Sequence, residues 1–387
     1  MNKNILLFIS RILCYESNKF FVAEMSKELQ DLGYQIEQCE VDMEDEDLEE
    51  KLEKYIGKKF RAVIDFNSRL QRLEMDTGER YLDMIDAPFY NYIVDHPLYH
   101  HPVIKLKLNR SNIICIDENH CNYVKKYYQD VKNVVFMPLG AMEALNIVPY
   151  EERRIDVLFS GTYTSSEELL NQINSDCSCG NTNLLLIEEM KANTSLTQEE
   201  ALRNILIRSG VTLTNQEFAI RLNSYYLVDK YLRAYYREKV IRVLLDNEIN
   251  VTVYGYAWDK FECSNKEYLT IHNLVSFPVS LEIEADTKIV LNIMPWFKAG
   301  IHDRVLSAMA NKAVCVTDSS EYVDKNFVDD KNIVLYSLDH LNELPNKIKN
   351  LLQNVDKAKK ISECGYEEVI EHHMWKNRVQ ENIDKII

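Results

Sequence analysis

A chain of 387 residues is longer than one hydrophobic core ordinarily supports, so we expect two domains. With 46% hydrophobic and 27% charged residues, and only 10 Gly and 8 Pro, the composition excludes a low-complexity or loop-rich β protein. The net charge of −16 disfavours binding to nucleic acid, which needs a basic surface, so an anionic ligand must be held by a local cluster of cations.

The cysteines and the N-terminus bear on the compartment. Nine cysteines are scattered without zinc-like spacing, which favours reduced thiols in the cytoplasm. Cys177 and Cys179 form a C-S-C in a predicted loop, for which a redox or metal role is the less favoured alternative. The apolar run at the N-terminus spans five or six residues, too short for a signal peptide or an integral membrane segment.

Strands and helices alternate through the first part of the chain. Helices are predicted at 18–32 and 45–57. The predicted strands are 4–10, 34–41, 61–68, 88–97, 112–118 and 133–140. Such alternation predicts a parallel doubly wound sheet.

The pattern restarts after a polar stretch, 142–154, that we interpret as an interdomain linker. A helical insertion is predicted over 165–247 and a helical tail from 344. The strands of this part are predicted at 154–161, 251–256, 287–294, 313–318 and 332–337. The sequence therefore predicts Rossmann-like domains at 1–147 and 148–365 and a C-terminal helix at 366–387.

Positive charge gathers in one loop of this acidic chain. The loop follows the apolar strand Ile289–Met294 and carries Lys298, Gly300, His302 and Arg304. Gly300 permits close backbone approach to a ligand, and we expect Asp303 to cap the helix that follows. Free N–H groups, a helix dipole and cations at the carboxyl end of a strand predict an anion site, most simply for phosphate.

Several motifs resemble a known family. The blocks are LFSG at 158–161, V-Y-G-Y-x-W at 253–258, LNIMPWFKAGIHDRVLSAMANKAVCVTD at 291–318, VDHPLYHHP at 94–102, CIDENHCNYVKKYY at 115–128 and HHMWKNRVQENI at 372–383. They resemble GT-B fold glycosyltransferases and, more narrowly, the spore-maturation-protein-like branch of glycosyltransferase family 1 of anaerobic Firmicutes. The resemblance implies two Rossmann-like domains facing a cleft, a donor nucleotide on the second, and a last helix that crosses back to the first.

The resemblance also implies where a nucleotide-sugar donor would bind. The expected donor contacts are Gly161, Thr162, Tyr254, Gly255, Lys298, Gly300, His302, Arg304, Ser307 and Asp318. The chain departs from the family pattern where many retaining members carry two glutamates, because Ala299 and Ser307 stand there. We expect Asp318 to be a substitute contact, and the stereochemistry stays open.

Candidate catalytic residues follow predicted strands of the first domain. Asp95 and His96 could deprotonate an acceptor hydroxyl, and Asp117 with His120 form a second such pair. The alternative is that His96 caps the strand end. A metal site at the histidines at 96, 100, 101 and 120 is less favoured for want of a ligand spacing.

The long helix predicted to end the insertion carries Asp229, Arg233 and Arg237 at spacings of four, interleaved with tyrosines. This face could belong to an acceptor surface or to the donor pocket, and ion pairs along a helix with half-buried tyrosines explain it equally well.

We therefore expect a cytoplasmic, metal-independent glycosyltransferase of the hexosyltransferase type. Its co-substrate would be a nucleotide-diphosphate sugar, most simply a UDP-sugar by the habit of the family, and it would need no other cofactor. The acceptor would be a protein or a cell-surface glycan, and homo-oligomerisation is left open. Ala299 and Ser307 keep open a non-catalytic sugar-nucleotide or glycan-binding subunit. A Rossmann oxidoreductase is disfavoured because no G-x-G-x-x-G follows the first strand of either half.

Overall fold

The computed structural model describes residues 2–10, 17–175 and 181–387, so Cys14, Cys177 and Cys179 lie outside the described residues. The chain divides into two compact units. Unit 1 comprises Met1–Gly140 with Met374–Ile387, and unit 2 comprises Ala141–His373. The sequence placed these limits after residues 147 and 365.

Unit 1 is built on a six-stranded parallel sheet of order β2-β1-β3-β4-β5-β6. The strands are β1 (Asn4–Ser10), β2 (Gln35–Val41), β3 (Ala62–Phe66), β4 (Phe89–Ile93), β5 (Ser111–Cys115) and β6 (Val134–Phe136). The helices are α1 (Ser17–Asp31), α2 (Leu48–Glu53), α3 (His101–Ile104) and α4 (Glu118–Tyr127). All residues of β3, β4 and β5 are buried, as expected of parallel strands covered on both faces.

Unit 2 contains a second six-stranded parallel sheet, of order β12-β11-β10-β7-β8-β9. The strands are β7 (Ile155–Ser160), β8 (Val251–Tyr254), β9 (Leu269–His272), β10 (Thr287–Leu291), β11 (Val314–Asp318) and β12 (Val334–Tyr336). The expectation of a doubly wound α/β fold is thus confirmed. Strand β9 was not predicted; three of its four residues are exposed, so it lacks the apolar pattern of an interior strand.

Five helices form the predicted helical insertion of unit 2. They are α5 (Ser166–Ser175), α6 (Thr182–Ala192), α7 (Gln198–Arg208), α8 (Asn215–Ser224) and α9 (Tyr226–Leu245). The later helices are α10 (Phe277–Ala285), α11 (Asp303–Ala310), α12 (Glu321–Asn326), α13 (Leu344–Gln353), α14 (Val355–His372) and α15 (Trp375–Ile386). Thr197 and Thr214 start α7 and α8 with capping boxes, which explains why the insertion divides at these residues.

The segment 142–154 is not a free linker, which corrects the sequence interpretation. Arg153 is 3% exposed, and its guanidinium donates to the carbonyls of Val148, Thr287 and Asn311. The segment is polar because it satisfies buried carbonyl groups of unit 2, and composition alone does not distinguish this from a solvated linker.

The last helix, α15, belongs to unit 1. A Cβ atom at Gly140 would lie 2.4 Å from the backbone nitrogen of Trp375, so only glycine permits this approach. The Trp375 ring lies 6.0 Å from that of Phe21, and Nε of Arg378 donates to the carbonyl of Leu139 at 3.4 Å. The chain therefore returns from unit 2 to pack its final helix on unit 1.

Candidate donor site

Four adjacent strands of unit 2 end at the edge where we expected the ligand. Their order, β11-β10-β7-β8, brings together the backbone that follows each strand. Side chains at this edge include Phe159, Asn292, Asp318 and Arg304 of α11. In an open parallel sheet, this carboxyl edge at the reversal of strand order is the usual ligand site.

Arg304 is the cation most firmly placed at this edge. Its Nη1 donates to Oδ1 of Asn292 at 2.8 Å, and its guanidinium lies 5.3 Å from the centre of the Phe159 ring. Asn292 and Phe159 are fully buried, so both partners are fixed. Arg304 itself is half-buried.

His302, not Asp303, is the N-cap of α11, which corrects the sequence interpretation. Its Nδ1 accepts from the amide of Arg304 at 3.1 Å, while Asp303 is the first residue of the helix. Burial opposes ionisation of Asp303, but His302 and Arg304 outweigh it and lower the pKa of Asp303 to about 2. Burial lowers the pKa of His302, against the attraction of Asp303. The same Nδ1 lies 2.7 Å from Oδ1 of Asp303, so the Arg304 amide and the Asp303 carboxylate both contact this atom.

Lys298 and Gly300 brace the loop. The Lys298 ammonium donates to the carbonyl of Thr194, in the connection between α6 and α7. The carbonyl of Gly300 accepts from Oγ of Ser320 at 2.6 Å. Lys298 therefore ties the loop to the helical insertion, a role that the sequence did not indicate.

The ends of β7 and β8 approach each other very closely. A Cβ atom at Gly255 would lie 2.2 Å from the carbonyl oxygen of Gly161, and the amide of Gly161 donates to the carbonyl of Tyr254 at 2.8 Å. Nε1 of Trp258 donates to the carbonyl of Gly161 at 2.7 Å. The glycine at 255 is thus required by packing, whether or not it touches a ligand.

The Tyr254 ring packs against the edge strand β9. It stacks on the ring of His272 in β9, with 4.4 Å between ring centres and 14° between ring planes. This contact orients the Tyr254 ring along the outer strands of the sheet.

Helix α9 supplies a second arginine that our list of donor contacts missed. Arg237 donates to the carbonyl of Thr162, and its guanidinium lies 5.3 Å from the centre of the Phe159 ring, the same distance as that of Arg304. The positive charge of Arg237 also contributes to the lowered pKa of His302. The regular spacing of charges on this helix face was visible in the sequence, but its approach to β7 depends on how the insertion packs.

Arg233 lies one turn earlier on the same helix. Its guanidinium is 4.3 Å from the centre of the Trp296 ring and 2.7 Å from Oδ2 of Asp229. Trp296 precedes Lys298 in the loop after β10, so α9 contacts both the β7 end and this loop. Both interpretations of the helix face are therefore partly realised: Arg233 has an ion pair, and Arg237 reaches the candidate site.

Two carboxyl groups of unit 2, those of Asp318 and Glu284, are buried. Oδ1 of Asp318 accepts from the amide of Met294 at 2.8 Å, and burial raises the pKa of Asp318 to about 6. Burial raises the pKa of Glu284 in α10 to about 8, against hydrogen bonding by Ser307 and the charge of Arg304. Neither α10 nor Glu284 was singled out from the sequence. Asp318 thus contacts the backbone of the loop after β10. Ser307, an expected donor contact, is buried at 7% exposure.

The candidate catalytic residues lie at the carboxyl edge of the unit 1 sheet. Nδ1 of His96 accepts from the amide of Leu98 at 3.0 Å, so His96 caps the turn that follows β4. A neutral His96 with this bond carries its proton on Nε2, which makes that atom a donor and not a base. The capping alternative therefore describes His96. Its ring lies 4.4 Å from the ring of His120.

Asp95 and Asp117 accept hydrogen bonds from different kinds of group. Oδ1 of Asp117 accepts from the amides of Asn119 at 2.7 Å and His120 at 3.2 Å, so it caps α4. Oδ2 of half-buried Asp95 accepts from Nδ2 of Asn67 at 3.1 Å. Asp95 is thus the better placed of the two to accept a proton. Across the described residues, no group of three or more His, Cys, Asp and Glu side chains is arranged to hold a metal ion.

Comparisons with known proteins bear on the fold and on the C-terminal part. A family described as glycosyl transferase-like matches residues 233–384. No curated protein sequence matches the chain. None of the helices described is long and apolar enough to cross a bilayer.

Solved glycosyltransferase structures are similar along the whole chain. An alpha-glucosyltransferase in complex with UDP and DNA superposes with a TM-score of 0.58 at 12% identity, covering 100% of both chains. A glycosyltransferase from Rickettsia africae gives 0.55 at 10% identity, covering 100% of this chain and 98% of the other. T4 phage BGT, solved with its substrate UDP-glucose, gives 0.55 at 13% identity, covering 99% of each.

At these identities the structural similarity concerns the fold, and the narrower resemblance to the spore-maturation-protein-like branch stays a prediction. A glycosyltransferase fold is consistent with the two six-stranded parallel sheets, with the C-terminal helix that returns to unit 1 and with the matched segment. The chain therefore has the GT-B glycosyltransferase fold, with a glycosyl transferase-like segment at residues 233–384.

Proposed function

We propose that the protein transfers a hexosyl group from a UDP-sugar to a hydroxyl group of a protein or cell-surface glycan, in the cytoplasm. The observation that carries this proposal is the pair Arg237 and Arg304, whose guanidinium groups lie equally close to the Phe159 ring at the carboxyl edge of the unit 2 sheet. Similar structures that contain UDP or UDP-glucose support the choice of nucleotide.

Two arginines beside one aromatic ring suit a diphosphate. Each guanidinium can donate charge-assisted hydrogen bonds to the oxygens of a diphosphate. The planar guanidinium can also grip two phosphate oxygens at once. The N-terminus of α11 adds the positive end of a helix dipole at the same edge.

We propose that this charge stabilises the leaving UDP without a metal ion. Negative charge develops on the diphosphate as the bond to the sugar breaks, and donors already fixed in place stabilise it most effectively. Arg304 is fixed by Asn292 and Arg237 by the carbonyl of Thr162.

We assign the general base to Asp95. A carboxylate can take the proton of the acceptor hydroxyl, whereas Nδ1 of His96 already accepts a backbone proton. His96 and His120 would then position the acceptor, with Nε2 of His96 as a hydrogen-bond donor. A base in this role implies transfer with inversion, since the hydroxyl attacks the sugar directly.

A non-catalytic nucleotide-sugar-binding subunit is the second candidate. Many family members carry glutamate at two positions where this chain has Ala299 and Ser307, so neither position supplies a carboxylate. Both residues are buried, at 4% and 7% exposure. Such a subunit would bind UDP through the same arginines and turn nothing over.

A thermal-shift series with UDP, GDP, CDP and their sugars tests the donor proposal, and release of UDP in the presence of acceptor lysate tests transfer. We expect UDP and one UDP-sugar to raise the melting temperature most and UDP to be released. Stabilisation without release would favour the binding subunit. A melting temperature unchanged by every nucleotide would reject the donor site.

A further inference from the structure

Two arginines in unit 1 take no part in the functions above. Arg69 and Arg72 flank one 3₁₀ turn, Leu70–Arg72, in the loop after β3. The amide of Arg72 donates to the carbonyl of Arg69 at 3.0 Å. Residues three apart in a 3₁₀ turn lie on the same side of it, which places both arginines on one side of the loop.

Asn67 fastens the start of this loop to the end of β4. Its Oδ1 accepts from the amide of Val94 at 3.1 Å, and its Nδ2 donates to Oδ2 of Asp95 at 3.1 Å. The backbone of Asn67 has φ of 44°, a region that asparagine tolerates better than most residues. The arginine loop is therefore tied directly to the proposed base.

Asn91 of β4 makes a second attachment. It is fully buried, its Oδ1 accepts from the amide of Ser68 at 2.9 Å, and its Nδ2 donates to Oε1 of Gln71 at 2.8 Å. Buried amide pairs of this kind give a loop one conformation, because breaking them leaves polar groups unsatisfied. The loop is thus held firmly although its arginines point outward.

The arginines themselves have no partner of opposite charge. Both are exposed, and neither side chain makes a hydrogen bond or ion pair with the part of the chain that the structure describes. Burial lowers the pKa of His100, Asp95 acts in the opposite direction, and Arg69 and Arg72 lower it further. Asp95, Arg69 and Arg72 therefore all act electrostatically on His100.

We propose that Arg69 and Arg72 bind an anionic group of the acceptor, a phosphate or a carboxylate, and so bring a neighbouring hydroxyl to Asp95. The inference rests on the proposed glycosyltransferase function and narrows its acceptor to an anionic class. Two guanidinium groups on one side of a fixed loop match the paired oxygens of such a group. In a chain of net charge −16, they give this edge a local attraction that the general field of the protein opposes.

Calorimetric titration with glucose, glucose 6-phosphate and glucuronate tests the proposal, with and without saturating UDP to occupy the donor site. We expect at least one anionic probe to bind about tenfold or more tightly than glucose, with or without UDP, and to weaken as salt rises. The probe that gains affinity distinguishes a phosphate-bearing from a carboxylate-bearing acceptor. The double variant Arg69→Gln/Arg72→Gln should bind the three probes alike.

The variant Lys19→Gln/Lys27→Gln is the matched control, because it removes two exposed cations from α1 of the same unit. It should keep the preference for the anionic probe, and both variants should keep the wild-type melting temperature and UDP affinity. Equal binding of all three probes to wild type, no binding of the anionic probes, or the same loss in the control would overturn the proposal. Failure of UDP to bind would count against the donor site alone, since the titration without UDP does not depend on it.

Discussion

Two loops of this protein occupy equivalent positions in their sheets, but the arginines associated with them differ in burial and in bonding partners. The loop after β3 in unit 1 and the loop after β10 in unit 2 each follow the strand beside the first strand of their sheet, where strand order reverses. In unit 2, Arg304 is bound to a buried asparagine and lies by a buried ring. In unit 1, Arg69 and Arg72 are exposed, while buried amides hold only the loop beneath them.

The difference indicates what each edge recognises. Arginines fixed by buried partners favour one ligand group in one position, as a diphosphate common to all turnovers would be. Exposed arginines on a fixed loop keep side-chain freedom and can follow acceptors of different shape. In this proposal, topology determines where both sites lie, and the partners of the arginines determine how strictly each site would select.

The largest effect is expected at the unit 1 edge. Asp95→Asn should lower kcat by roughly 10²–10⁴-fold, because the amide cannot take a proton, while UDP affinity stays unchanged. His96→Asn is the matched variant: asparagine can still cap the turn, so it should lose far less turnover. Steady-state kinetics and UDP titration of both variants measure this. Wild-type kcat in Asp95→Asn, or an equal loss in His96→Asn, would remove the base assignment.

The extent to which the sequence predicted these edges differs between them. All six strands of unit 1 begin within one residue of their predicted starts. Strand β1 shows the clearest signal, because its buried interior is a continuous apolar run. The loop carrying Arg304 was also found, since a glycine and several cations after such a run are a local signal.

Other features depend on contacts distant in sequence. Arg237 approaches Thr162 across 75 residues of chain, so its role follows from the packing of α9 and not from its neighbours in sequence. The capping bond of His96 and the burial of Glu284 likewise depend on backbone geometry. A residue pattern names the candidate groups, but which atom of a histidine is already occupied can be seen only in the fold.

The unit 2 edge should show intermediate effects on nucleotide binding. Arg304→Ala should weaken UDP binding by about tenfold to a hundredfold, and Arg237→Ala by about tenfold, because each removes a charged hydrogen-bond donor. Arg242→Ala is the control on the same helix, since Arg242 donates only to the carbonyl of Glu262 among its described bonds. Calorimetric titration measures the affinity of each of the three variants for UDP. Equal affinity in Arg237→Ala and Arg242→Ala would mean that Arg237 only holds the β7 end.

The smallest effect concerns stability, and it compares one buried acid from each unit. Burial raises the pKa of Glu284 to about 8 in unit 2 and that of Asp65 to about 7 in unit 1. An acid whose pKa is raised on folding stays protonated in the native state while the unfolded chain has released its proton. The free energy of unfolding therefore falls as pH rises from the unfolded pKa, near 4, towards these values.

Glu284→Gln removes this dependence in unit 2, since glutamine keeps the shape without the ionisable proton. The variant should gain at least about 1 kcal/mol relative to wild type between pH 5 and pH 8, measured by urea unfolding. Exposed Glu267→Gln should follow wild type. If Glu284→Gln instead loses stability evenly at every pH, the carboxylate is ionised in the native state and pairs with Arg304. Arg304 would then be neutralised within the protein, and the unit 2 edge would hold its diphosphate chiefly through Arg237 and the start of α11.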